Sequence, residues 1–211
     1  MELTTRLYLI RHGEVEERYH RTFGGRIDMN LSERGLRQVQ ATADYLTGSP
    51  PEVLYASPMQ RVQQTVAPLL RQTRLEQIIL PGLREVDFGA WTGLSWDEVQ
   101  QRFNKSAFDW LELLETGTIP DAETTTAFRE RVELALDQIL RESSGRTVAV
   151  YCHGGVIRML ISILCDLPFR RMNLFDVEYA SLTKVVHRPR GVDIELHNFT
   201  PWRDLPGILA H

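Results

Sequence analysis

Apolar positions along the chain recur with two different periods, and the alternation between them lays out the predicted elements. Arg6 to Ile10 is a short apolar run rich in Leu, Ile and Tyr, which predicts a buried strand ending at Arg11-His12-Gly13. A polar, glycine-containing loop follows from Glu14 to Asn30. Ser32 then caps a predicted helix whose apolar positions Leu36, Val39, Ala43 and Leu46 fall at helical spacing. That helix stops at Gly48, Pro50 and Pro51. Val53 to Ala56 predicts a second strand. Ser57-Pro58 predicts the next helix start, with serine as cap and proline in the first turn, which puts Arg61 one turn inside the helix. Ile78 to Leu80 predicts a third strand before the turn Pro81-Gly82.

From Leu83 to Thr126 the pattern loses its regularity, with Trp91, Trp96, Phe103, Phe108 and Trp110 scattered among polar residues. We expect one domain, residues 1–211, carrying a lid-like insertion at about 85–125. Beyond it a long helix fits Thr125 to Glu142, with Phe128, Val132, Leu136 and Ile139 on one face and Gly145 after its end. Thr147 to Tyr151 predicts a further strand, Gly155 to Leu164 a helix, and Ser181 to His187 with Val192 to Leu196 a hairpin turned at Pro189-Arg190-Gly191. Strands alternating with helices predict an α/β fold: a three-layer α/β/α sandwich around a mostly parallel sheet with an antiparallel edge strand.

Composition narrows the function classes. The chain has 211 residues, 43% of them hydrophobic, enough for one good core. Its 24 basic and 28 acidic side chains nearly cancel, leaving no electrostatic footprint for nucleic acid or an anionic membrane. No segment approaches the roughly 20 apolar residues that span a bilayer. The N-terminal apolar run is too short for a signal-peptide core. Cys152 and Cys165 have apolar neighbours and predict buried free thiols rather than a metal site or a disulfide framework. A reducing cytoplasm is the expected compartment. The residues leave the oligomeric state open, a dimer included.

The candidate chemistry lies where strands end. Two of them, YLIRHGE and VAVYCHGG, finish in a histidine followed by glycine, and in a parallel sheet both open at the same edge, where ligands bind. Glycine there would let backbone N–H groups approach an anion. Arg11 and Arg61 add planar charged forks suited to phosphate oxygens. Neutral imidazole, with an ordinary pKa of about 6.5, can attack phosphorus without a metal. An acid for the leaving oxygen is available in GLREVDFGAWTG as either Glu85 or Asp87. Cys152 and Arg158 form a C-x5-R spacing that would suit a thiolate phosphatase, yet Cys152 falls inside an apolar strand and that reading leaves Arg11, His12 and Arg61 unexplained.

LYLIRHGE, LSERGLRQVQ, YASPMQRVQQT, LREVDFGAWTG and VYCHGGVIRML, in that order from about Arg6 to Leu164, together resemble the histidine phosphatase superfamily, also called the phosphoglycerate mutase-like family. The resemblance implies that His12 is a phosphorylated nucleophile, that Arg11, Arg61 and His153 clasp the phosphoryl group beside Gly154, and that Glu85 is the acid and then the base. It implies neither metal nor cofactor. Many members carry asparagine where this chain has Arg18, which makes Arg18 a candidate phosphate ligand. IPDAETTTAF resembles a phosphatase segment, so Glu123 and Thr124 are candidates for the pocket border, with helix capping as the competing role. RTFGGRIDMNLSERG is similar to α-ribazole phosphatases and to sugar-phosphate phosphatases; Phe23 and Gly24 enter as binding candidates, with Phe23, Trp91 and Trp96 available to stack on a flat ring. The short chain and the Val86-Asp87-Phe88-Gly89 that follows the acid favour a phosphatase acting on a small phosphorylated metabolite over mutase-type phosphoryl transfer or a non-catalytic phospho-ligand binder.

Overall fold

The computed structural model describes residues 3–205. Its six strands are β1 (Thr5–Arg11), β2 (Val53–Ala56), β3 (Gln77–Ile79), β4 (Thr147–Cys152), β5 (Leu182–Arg188) and β6 (Gly191–Phe199). They form one sheet in the order β3-β2-β4-β1-β5-β6. The first four run parallel, and the β5–β6 hairpin supplies the antiparallel pairing at one side. The helices are α1 (Glu33–Thr47), α2 (Gln60–Gln72), α3 (Trp96–Phe103), α4 (Trp110–Glu115), α5 (Thr125–Glu142), α6 (Gly154–Leu164) and α7 (Pro201–Asp204).

Alternation along the central strands builds the layers, because successive side chains leave a strand on opposite faces. Leu7 and Leu9 of β1 and Val148, Val150 and Cys152 of β4 pack with Phe128, Val132 and Ile139 of α5 and Val156 and Leu160 of α6. Tyr8, Ile10, Ala149 and Tyr151 face the other way, against Ala43 and Leu46 of α1 and Val62, Val66 and Leu69 of α2. With both faces covered, the central strands need continuous apolar runs, as the sequence shows.

Three local expectations change. Leu36 stands 50% exposed, since α1 buries Val39, Ala43 and Leu46 against the sheet and turns Leu36 to solvent. The third strand is Gln77–Ile79, one residue earlier than expected. As an edge strand it leaves Ile78 and Ile79 each 40% exposed, while Leu80 turns inward. Ser57 does not cap α2, which begins only at Gln60 with Met59 as N-cap and no side-chain bond; the Ser57 hydroxyl lies two residues too early and accepts from His153 and the Met59 N–H. The stretch after Leu83 holds two short 3-10 turns and the helices α3 and α4, the former opened by a Ser95–Glu98 capping box.

Candidate active site

Sheet register alone brings the two histidines together. Arg11 pairs with Cys152 across the parallel β1–β4 ladder, so the next residue on each strand, His12 and His153, emerges at the same edge. The His12 N–H donates to the Cys152 carbonyl at 3.1 Å, and the two rings lie 5.3 Å apart, edge to face. His12 is 6% exposed and borders a cavity of about 210 Å³, whereas His153 is wholly buried beneath it.

Hydrogen-bond partners fix both tautomers. His12 Nδ1 lies 2.8 Å from the Gly13 carbonyl, which can only accept, so Nδ1 carries the proton and Nε2 keeps a free lone pair. His153 Nδ1 accepts from Arg61 Nε at 3.2 Å. Its Nε2 therefore carries the proton and donates to Ser57 Oγ at 2.9 Å. His153 thus has both nitrogens engaged by protein, and Ser57 and Arg61 orient it.

Burial, followed by the charges of Arg61 and Arg11, pushes the His12 pKa well below 6.5. The same order of burial first and Arg61 second depresses His153. Both rings are consequently neutral near pH 7, the form in which Nε2 of His12 is nucleophilic. In the unfolded chain each titrates near 6.5, so below that pH the unfolded state binds protons the folded state excludes. Stability then rises with pH and falls on acidification, by up to about 1.4 kcal/mol per pH unit for each histidine. We expect the urea midpoint to drop between about pH 7.5 and about pH 5.5, and His153→Asn to flatten that slope.

The arginines are held differently. Arg61, 2% exposed, spends Nη1 on the Ile27 carbonyl at 2.8 Å and Nη2 on the Gly25 carbonyl at 3.3 Å, strapping the loop after Phe23 over the site. Burial brings its pKa down to about 10, so it remains charged near neutrality. Arg11 borders the cavity, donates from Nη1 to the Val177 carbonyl, and lies 4.0 Å over the Tyr179 ring.

Of the two carboxylates left open by the residues, Glu85 is the one that borders this cavity. It lines the cavity and accepts from the Gly155 N–H at 3.2 Å through Oε2. A Cβ on residue 155 would lie 2.5 Å from Glu85 Oε1, so only glycine admits the carboxylate there. Asp87 is instead paired with Arg26 at 2.9 Å. Gly13 has a different role from the one expected. Its N–H donates to Thr65 Oγ1 at 3.1 Å, and a Cβ would meet Val39 at 2.6 Å, so this glycine admits α1 rather than an anion.

Gly24 and Gly154 border the cavity, and Phe23 does so while packing on Phe88 and Trp91. Trp91 is core, 1% exposed; Trp96 and Trp110 are the tryptophans on the cavity wall. Three candidates lie elsewhere. Arg18 is an exposed side chain paired with Glu16 at 2.8 Å and stacked near Tyr19, since its short 3-10 turn points it to solvent. Thr124 caps α5, its hydroxyl accepting from the Ala127 N–H at 3.1 Å. Glu123 grips Arg131 through both oxygens, and Arg131 in turn donates to the carbonyls of Gly82, Arg84 and Glu85. That pair positions the Glu85 loop from outside the cavity. Tyr19, Tyr179 and Arg158 line it without having been singled out for it. Only Arg158 carried a signal, the spacing from Cys152. Cys152 itself is wholly buried in β4, and burial pushes its thiol pKa up, so no thiolate is available.

Among the described residues no group of three or more His, Cys, Asp and Glu side chains is placed to hold a metal ion, and no helix is long and apolar enough to cross a membrane.

A family profile described as the histidine phosphatase superfamily (branch 1) matches residues 7–200. A bifunctional protein of Mycobacterium tuberculosis is 34% identical over 181 residues, covering 85% of this chain and 49% of that protein, so the chain spans about half the length of that relative. The adenosylcobalamin/α-ribazole phosphatase of Escherichia coli is 28% identical over 173 residues, 82% of this chain and 85% of that protein. The crystal structure of the α-ribazole phosphatase of Shigella flexneri superposes with a TM-score of 0.82 at 24% identity, covering 92% of this chain and 96% of that one, which shows a shared fold.

Proposed function

The chain belongs to the histidine phosphatase superfamily, and from that premise we propose that it is a metal-independent phosphomonoesterase working through a phosphohistidine at His12. The observation that carries the reading is the His12 tautomer: a neutral ring, proton held on Nδ1 by the Gly13 carbonyl, lone pair on Nε2 beside the cavity. In the first step Nε2 bonds to phosphorus while the bond to the ester oxygen breaks, and Glu85 gives that oxygen its proton. In the second, Glu85 takes a proton from water as the oxygen attacks phosphorus, releasing inorganic phosphate and restoring both groups. Arg11 and Arg61 hold the developing charge beside a nucleophile that is itself largely buried. His153, fixed by Ser57 and Arg61, packs under the nucleophile and keeps its ring in place.

A cavity of about 210 Å³ suits a small phosphorylated metabolite, and the Trp96 and Trp110 walls suit a flat or apolar leaving group. α-Ribazole 5'-phosphate and sugar phosphates fall within that description. The two free thiols fit a reducing cytoplasm.

The test is a trap. Rapid quenching in base of a reaction with a ³²P-labelled phosphomonoester should leave acid-labile, base-stable label on His12 in single turnover. Turnover to free phosphate with no such label at any time point would overturn the mechanism.

A further inference from the structure

Arg11 and Arg61 both border the cavity, yet they are held by different means. Arg61 has all three guanidinium nitrogens on protein acceptors, Nε on His153 and the terminal pair on the carbonyls of Ile27 and Gly25. Among the described residues Arg11 gives a side-chain hydrogen bond only to the Val177 carbonyl, from Nη1, and its Nε is buried without an acceptor. One such bond leaves a guanidinium at the end of a flexible side chain free to pivot. The second hold is a ring: Arg11 Cζ lies 4.0 Å over the centre of Tyr179. An aromatic face attracts the cation without consuming an N–H, so the donors on Nε and Nη2 stay available to phosphoryl oxygens.

The same ring reaches the other half of the site. Its centre is 5.7 Å from that of His12, at an interplanar angle of 49°. The backbone that carries it is a fixed mount. Trp202 of α7 donates from Nε1 to the Tyr179 carbonyl at 3.0 Å, and the next residue, Ala180, donates its N–H to the His12 carbonyl at 3.0 Å. Thr42 of α1 donates its hydroxyl to the Ala180 carbonyl at 2.9 Å. Ala180 is wholly buried with φ at 54°, the left-handed region that an L side chain enters only at a cost and keeps where its surroundings impose it. Tyr179 is therefore tied to the peptide of His12 itself, and Arg11 rests on a platform that moves with the nucleophile.

We propose that Tyr179 is a positioning residue for phosphoryl transfer, acting through Arg11. This rests on the phosphomonoesterase reading above. The ring restrains the Arg11 guanidinium so that its uncommitted donors meet the oxygens of the phosphoryl group as charge develops on them, and a loose guanidinium would stabilise that charge less well.

A double-mutant cycle tests it. Tyr179→Leu should lower kcat/KM by about threefold to thirtyfold, as expected for a lost cation–π contact, with equal losses on p-nitrophenyl and alkyl phosphates because Arg11 acts on the phosphoryl group. Tyr179→Phe keeps the ring face and should recover most of that loss. In an Arg11→Gln background the further step to Tyr179→Leu should cost less than twofold. Thermal melts establish that each variant folds, and Tyr179→Met replaces Tyr179→Leu if the latter does not. A folded non-aromatic variant within twofold of wild type would overturn the proposal. So would a full loss that persists in the Arg11→Gln background, a loss confined to the aromatic ester, which would place the ring on the leaving group, or a Tyr179→Phe protein as slow as Tyr179→Leu, which would place the role on the hydroxyl. If the wild type cleaves no phosphomonoester, the phosphatase reading fails and this role with it; wild-type cleavage that Tyr179→Leu leaves intact removes the role of Tyr179 alone.

Discussion

Replacing His12 with alanine should reduce turnover of any phosphomonoester by about 10⁴-fold or more, as expected when a covalent nucleophile is lost. Neither neighbouring histidine nor cysteine can take over. His153 has its Nδ1 lone pair committed to Arg61 and no exposed surface, and Cys152 is a buried thiol. Arg11 and Arg61 remain in place, so the variant should still bind inorganic phosphate. Loss of turnover with binding retained separates removal of the nucleophile from collapse of the pocket. Cys152→Ser is the companion measurement: it should keep phosphatase turnover, with a cost in melting temperature from placing a hydroxyl in the core. A His12→Ala protein that turns over within tenfold of wild type, or a Cys152→Ser protein that does not turn over although folded, would return the chemistry to the thiol.

Glu85→Gln should give the second largest effect, about 10²- to 10⁴-fold on alkyl phosphates. Glutamine keeps an oxygen to accept from the Gly155 N–H but cannot deliver a proton or receive one from water. The two halves of the reaction should separate according to the leaving group. An alkoxide cannot depart without its proton, so alkyl esters stall at the first step. A p-nitrophenyl ester can depart as the anion, so a burst of nitrophenol should appear, followed by slow release of phosphate and accumulation of the phosphoenzyme. A variant equally slow on both ester types, with no burst, would mean that Glu85 acts by position or charge rather than as acid and base.

How much of this was legible in the sequence depends on whether a feature is periodic or set by its partners. β1 and β4 announce themselves as apolar runs ending in Arg11-His12 and Cys152-His153, and parallel pairing makes those ends neighbours. The position of Arg61 follows from the helix start at Ser57-Pro58, although Met59 rather than Ser57 stands at the cap. Tertiary partners decided the rest. Glu85 and Asp87 lie two residues apart on one loop, and only the Arg26 pair and the Gly155 contact separate them. Glu123 was drawn to the site by a motif, yet it works from outside through Arg131. Arg18 occupies a position where a family pattern predicted a ligand, but Glu16 two residues earlier offers it a partner in solvent. Arg158 stands out in the sequence only through its spacing from Cys152. Which side of α6 meets the cavity depends on how the segment around Phe175 and Tyr179 closes over it, and that segment has no apolar period to read.

The backbone bond from His12 to the Cys152 carbonyl ties the proposed nucleophile into the centre of the sheet, between two strands that are themselves flanked on both sides. His12 therefore belongs to the same cooperative unit whose opening is global unfolding. Partial melting of the outer elements can change what enters and leaves while the nucleophile keeps its alignment. Amide exchange at His12 should then report the free energy of the whole protein, and the geometry around His12 should be lost only with the fold.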